Sequence, residues 1–354
     1  MAFNKNILSQ AVLFVLGAAA AVIFVASKSP ALTDRLIYNS YIYGDLYRLS
    51  KVNYFKPSAA IHGGPSVNMD SFTANQSPAG TEVFFVGDSF GFADWGAGTL
   101  PLQLAAATHK KVFSVYNNAH YEMNEYPLEF IRSLSLPRAK RIFVYERVER
   151  LIPRALDEKA SDLLETNHPV YVTRPLSLSE IIFKNSEEHQ EMLLKDSAFT
   201  CPFLTMYYSM QFRLFRRISK DTPAYSLRPP FLFYKDEYAC FKTSHDDAFI
   251  NRLADNVAMF ARKLREDYDC DFVFIPLPNK ITVYSSLMTN LPYDNFLPRL
   301  CAATKQRGIR TVDLLPAFQA QTNLLYWPTD THWNGLGVSI ALQETLKVWP
   351  QPQK

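Results

Sequence analysis

The feature that most constrains this chain is a series of short, almost uninterrupted apolar runs separated by stretches of helical length. Residues 82–86 (EVFFV), 111–116 (KVFSVY), 141–145 (RIFVY), 271–276 (DFVFIP) and 311–314 (TVDL) each read as a strand. Residues 99–108, 127–134, 246–266 and 335–348 read as the intervening helices. A strand apolar on both sides cannot show a face to water, so the sheet it joins must be covered twice. Strands alternating with helices supply that cover and make the sheet parallel. The expected fold is therefore α/β: a three-layer α/β/α domain with a central parallel sheet, over residues 81–354. The alternation breaks between the third and fourth strands, where residues 155–240 read as a helical insertion with helices at 178–195 and 203–219. The second of these, FLTMYYSMQFRLFRRIS, combines rings with Arg213, Arg216 and Arg217. It suits an insertion helix with a solvated basic face, a cover for the site, or a helix lying on a membrane surface.

Residues 7–26, ILSQAVLFVLGAAAAVIFVA, hold 20 consecutive residues without a charge, the length a helix needs to cross ~30 Å of hydrocarbon. Lys5 precedes the stretch and Lys28 follows it. The expectation is a transmembrane signal anchor over residues 1–28 with a cytoplasmic N-terminus, although residues 25–27 (VAS) also suit a cleavage site. Residues 29–80 then read as a membrane-proximal segment and linker. Its tyrosines, Tyr38, Tyr41, Tyr43, Tyr47 and Tyr54, suit either lipid headgroups or packing on the domain. Cys201, Cys240, Cys270 and Cys301 form no CxxC pair, which excludes a zinc ribbon or a thioredoxin motif. In an exported domain they admit up to two disulfides, with Cys201–Cys240 preferred, or four unpaired core thiols. A net charge of +3 gives no reason to expect nucleic acid as a partner. Aromatic residues make up 14%, which suits a sugar cleft or simply a large core.

Ligands of an open α/β sheet bind beyond the C-terminal ends of its strands, so the strand-to-helix turns carry the chemistry. The first is Val86-Gly87-Asp88-Ser89-Phe90-Gly91, which places a serine just after a buried strand. Helix N-terminal amides nearby would favour the negative charge of a nucleophile and its oxyanion. The second, Tyr326-Trp327-Pro328-Thr329-Asp330-Thr331-His332-Trp333-Asn334, lies beyond the last strand. A hydroxyl nucleophile needs a base, and the base needs an acid to orient it. Asp330 and His332, two residues apart, supply both from one loop. An Asp-x-His metal pair would want a third ligand, and no HxxxH, HExxH or cysteine cluster offers one. Ser89, His332 and Asp330 are therefore the expected catalytic triad, with no metal and no cofactor. Asn118, after the second strand, is a candidate oxyanion donor beside the Ser89 amide. Arg147 or Arg150 could stabilise charge or hold a glycan group, while Glu149–Arg150 also reads as a structural ion pair; Lys280 has the same two readings. Trp95, Trp327 and Trp333, in or beside these turns, are candidates for stacking on sugar rings, while Trp333 also reads as a residue that packs the loop.

The GDSF and DTHW blocks resemble the first and last blocks of the SGNH hydrolase superfamily. More narrowly, DTHWN, IPLPNKITVY (residues 275–284) and VYERVERLI (residues 144–152) resemble the alginate O-acetylation (AlgJ/AlgX-like) branch, over roughly residues 80–348. The resemblance implies Ser89 as nucleophile, His332 as base and Asp330 as its orienting acid. It also implies a periplasm-facing enzyme of a bacterial inner membrane that acetylates an exopolysaccharide or wall glycan, with acyl groups delivered by a membrane-bound O-acyltransferase. An acetylesterase of the same fold, or a non-catalytic glycan-binding subunit, are the competing readings. Two departures stand out. The Asp-His block follows the serine here, whereas it precedes it in the alginate proteins. The superfamily's Gly-x-Asn-Asp block is replaced by Tyr145-Glu146-Arg147.

Overall fold

The computed structural model describes residues 40–59, 61, 79–93, 98–116, 138–156, 194–197, 200–288 and 292–350, together with Phe14, Gly17, Ala18 and Val22. Its strands in chain order are β1 (Val83–Gly87), β2 (Val112–Tyr116), β3 (Arg141–Val148), β4 (Ala224–Leu227), β5 (Pro230–Phe233), β6 (Cys270–Leu277) and β7 (Arg310–Thr311). Five of them form one parallel sheet in the order β2-β1-β3-β6-β7. Every residue of β1 and β3 is buried, as expected for strands covered on both faces. In register across β3 and β6, Phe143 stacks on Phe272 and Tyr145 on Phe274. Such cross-strand ring pairs lock a one-residue slip out of the sheet.

The helices are α1 (Asp45–Ser50), α2 (Leu100–Thr108), α3 (Ile152–Leu156), α4 (Cys201–Phe215), α5 (Lys235–Lys242), α6 (Asp247–Tyr268), α7 (Lys280–Val283), α8 (Phe296–Gln306), α9 (Leu314–Gln319) and α10 (Gly335–Lys347). The longest, α6, starts where the Asp246 carboxylate accepts the Phe249 amide at 2.7 Å, an N-cap bond. Its buried residues, Ile250, Leu253, Ala254, Val257, Phe260 and Leu264, recur every three or four positions. Phe260 from that stripe packs on Phe143 and Phe272 of the sheet.

The strand order positions the site. From β1 the chain moves out to β2, then returns across β1 to β3 on its other side. The crevice at the C-terminal end of β1 is therefore the topological switch point, where open α/β sheets bind ligands.

Several local expectations change. The third strand runs on to Val148, so Tyr145-Glu146-Arg147 lies within the sheet rather than in a turn. The fifth strand is shorter than expected. The Val312 amide still bonds the Phe274 carbonyl, but Leu314 already begins α9. The 155–240 insertion is not wholly helical among its described residues: after α4, β4 and β5 form an antiparallel hairpin. Arg228 and Pro229 turn the chain between them.

The Cys201–Cys240 disulfide does not form, and all four cysteines are free thiols. Burial raises the thiol pKa values of Cys240 and Cys301 and pushes that of Cys270 up to about 12. Thiols held neutral in this way are poor partners for disulfide exchange. Most of the 7–26 stretch, and residues 178–193 of the expected 178–195 helix, lie outside the described residues; Leu194 and Lys195 are helical. Phe14, Gly17, Ala18 and Val22 are helical and exposed. Among the described residues no helix is long and apolar enough to cross a membrane.

Candidate active site

The serine turn is held from the sheet below it. Glu146, at the end of β3, accepts the Asp88 amide at 2.9 Å. The buried Asp88 carboxylate accepts the Phe90 amide at 3.0 Å and the Val148 amide at 2.9 Å, so one side chain ties the turn to β3. Gly87 and Gly91 are required here, because a Cβ at either would stand 2.6 Å and 2.9 Å from the Glu146 carboxylate. Burial first, then the neighbouring Asp88, raises the Glu146 pKa well above the ordinary carboxylate range. A neutral Glu146 keeps its own charge out of this buried pocket. Ser89 is left half-buried above this clamp.

The second turn closes on itself. Tyr326 and Trp333 face each other as an isolated antiparallel bridge, and the Trp327 amide bonds the His332 carbonyl. Within that frame His332 Nδ1 lies 2.7 Å from Asp330 Oδ1, and the His332 amide donates to the same oxygen at 2.9 Å. With Nδ1 protonated towards the carboxylate, Nε2 is the nitrogen that can accept a proton. Burial opposes a charge on this ring. The Asp330 charge and hydrogen bond, with Asp45 behind them, outweigh both burial and Arg150, so the His332 pKa is raised above its ordinary value.

Phe90 joins the two turns. Its ring lies 4.8 Å from that of His332 and 6.1 Å from that of Trp333, and its carbonyl accepts Trp333 Nε1 at 2.9 Å. Ser89 is the preceding residue. Among the described residues no hydrogen bond joins Ser89 to His332 directly. Catalytic hydrogen bonds are often long before substrate binds.

Sequence reasoning missed a third carboxylate. The segment read as a membrane-proximal linker folds back over the Asp-x-His turn. The Asp45 amide donates to Asp330 Oδ2 at 2.9 Å, and the Asp45 carboxylate accepts the Thr331 amide at 2.8 Å and hydroxyl at 2.6 Å. The Tyr47 amide donates to the Thr329 carbonyl, and the Thr329 hydroxyl to the Tyr43 carbonyl. Gly44, with φ of 99°, is where the strap comes closest, since a Cβ there would overlap the Thr329 carbonyl. Asp45, Asp330 and His332 together offer three clustered ligand atoms, the third of which no sequence motif marks. Their oxygens, however, already accept four backbone or side-chain donors besides His332 Nδ1. The cluster is built as a hydrogen-bond network.

Beneath the loop, buried Lys280 donates Nζ to the Pro328 and Asp330 carbonyls at 2.8 Å and 3.0 Å, with the Phe231 and Phe233 rings beside it. Burial brings its pKa down to about 7, and burial likewise pushes Glu237 up to about 7. Replacing Lys280 with methionine keeps the apolar stem but leaves two carbonyls without their donor, at about 1–3 kcal/mol each. The melting temperature of Lys280→Met should fall by about 5 °C, measurable by calorimetry. An unchanged melting temperature would mean that the loop does not depend on this amine.

The remaining candidates separate clearly. Trp333 is fully buried and ties the two turns together, so it cannot stack on a sugar. Arg147 is buried in β3 beside Glu146, which leaves little of it for a substrate to reach. Arg150 reaches the site instead: it lies 5.3 Å over the Phe90 ring and pairs with Glu237 at 3.3 Å. The expected Glu149–Arg150 pair is thereby replaced. Glu149 accepts the Asn279 amide and the Thr282 and Tyr293 hydroxyls. Trp327 is half-buried in the Asp-x-His turn. Trp95 and Asn118 lie outside the described residues.

Residues 228–352 match the family model of the SGNH hydrolase-like domain, acetyltransferase AlgX. The match includes the Asp330–His332 turn, β6 and Lys280, and begins after the Ser89 turn. No curated protein and no solved structure matches the chain.

Proposed function

We propose that this chain is an SGNH-type carbohydrate O-acetyltransferase working through a Ser89–His332–Asp330 triad. The observation that carries the reading is the docking of the Asp330-paired imidazole on Phe90, next to Ser89, at the switch point of a parallel sheet. In the proposed reaction His332 Nε2 takes the hydroxyl proton as Ser89 Oγ attacks the donor's acetyl carbonyl. The donor's alcohol or thiol leaves with that proton, and the acetyl group remains on Ser89. A sugar hydroxyl then attacks the ester, giving its proton to His332, which returns it to Ser89 Oγ. Asp330 holds the ring in the productive tautomer and balances the imidazolium. The oxyanion faces the Ser89 amide and the guanidinium of Arg150 above Phe90. No cofactor takes part.

The 20 uncharged residues at 7–26 support an anchored, periplasm-facing enzyme at a bacterial inner membrane. Its acceptor would be an exopolysaccharide or wall glycan, and its acyl groups would come from a membrane-bound O-acyltransferase. Water in place of the sugar turns the same machinery into an esterase, the second reading. Incubating the protein with an acetyl ester and an oligosaccharide in excess should give acetylated oligosaccharide. Free acetate as the only product would establish the esterase instead.

A further inference from the structure

The Ser89 site leaves α4 unexplained. Its inner face, with Cys201 and Phe212 buried and Tyr208 partly so, packs on the N-terminal strap. Phe212 touches Phe55 and Tyr54, Leu46 and Val52 share the same apolar cluster, and the Asn53 amide donates to Ser209 Oγ at 3.0 Å. The opposite face is apolar as well. Met206, Tyr207, Met210 and Leu214 follow one another at spacings of one, three and four, and with Phe215 they are 54–64% exposed. On a helix those spacings put them on one outward stripe. Arg213, Arg216 and Arg217 border the end of the stripe and are exposed, and residues 200–217 contain no acidic residue.

From this surface we infer that α4 is an interfacial helix, lying on an anionic phospholipid bilayer with its outer stripe among the acyl chains. Two observations select a bilayer over a protein groove. The three arginines complement anionic headgroups, each worth about fivefold in partitioning. The strap against which α4 packs also begins only about 20 residues after the uncharged 7–26 stretch. A bilayer holding that stretch would thus be brought to the side of the domain that α4 forms. A helix with rings and methionines outward and arginines at its border is what such a surface retains. The bilayer contact would restrict how the domain turns about its anchor.

The inference rests on the anchor reading of residues 7–26, and the test separates the two. The full chain is reconstituted in phosphatidylglycerol-containing vesicles with p-benzoylphenylalanine at position 207 or 214, or at exposed position 262 on α6 as control. After illumination, peptides are searched by mass spectrometry for lipid adducts. Positions 207 and 214 should yield adducts and position 262 should not. The triple change Arg213→Gln, Arg216→Gln and Arg217→Gln, or vesicles of phosphatidylcholine alone, should reduce the yield at least fivefold. A vesicle-bound chain without adducts at 207 and 214, or with cross-links to a second copy there, overturns the interfacial helix while leaving the anchor standing. A chain that does not associate with vesicles at all overturns the anchor, and this inference with it.

Discussion

Ser89→Ala should reduce acetyl transfer by at least about 10³-fold in kcat, because it removes the only atom proposed to carry the acetyl group. The change deletes one oxygen from a half-buried side chain. It leaves the Asp88–Val148, Asp88–Glu146 and Trp333–Phe90 bonds that hold the turn. The melting temperature should therefore stay close to that of the unaltered protein. His332→Ala should fall to a similar level, and combining the two should cost little more, since nucleophile and base act as a unit. A stalled reaction with donor alone should give an acetylated peptide containing Ser89, seen by mass spectrometry and absent from Ser89→Ala. Transfer at an unaltered rate in Ser89→Ala would end the covalent mechanism, whichever acceptor is used.

The outline of the fold was legible because its signal is local. Five apolar runs with helices between them dictate a covered parallel sheet, and β1, β2, β3 and β6 lie within a few residues of where those runs predict. Asp330 and His332 were legible for a similar reason, since their contact spans two residues. What could not be read was whatever depends on distant pieces of chain meeting. Trp333 reads equally as a sugar-stacking ring or a loop-packing one until Phe90 supplies a carbonyl for its indole. Arg150 looks like the partner of the adjacent Glu149, until that carboxylate proves occupied by Asn279, Thr282 and Tyr293. A cysteine pair is only a count until the folded chain shows each thiol free. The exposed stripe of α4 was visible as a string of rings and arginines, but which of its faces packs inward needed Phe212 and Phe55 to be seen together.

Asp45 is the furthest case, 285 positions from the carboxylate its amide contacts, with no motif to mark it. Its two roles predict different outcomes for two substitutions. Asp45→Asn keeps an oxygen for the Thr331 amide and a polar group facing the Thr331 hydroxyl, while its backbone still bonds Asp330. Only the charge is lost. That charge helps raise the His332 pKa, against burial and the nearby Arg150. Removing it should lower the pKa and make the base available in more acidic solution. The acid limb of the kcat/KM profile should move to lower pH, with the plateau little changed. Asp45→Ala loses the grip on Thr331 as well, so the turn between Asp330 and His332 is held to the strap by backbone bonds and Thr329 alone. A misplacement of about 1 Å at such a group costs roughly 100-fold, and the plateau of kcat/KM should fall accordingly. A purely structural Asp45 would instead lower the melting temperature in both variants and leave the acid limb where it was. If the limb stays fixed in Asp45→Asn, the carboxylate does not act on His332 and the strap merely holds the loop in place.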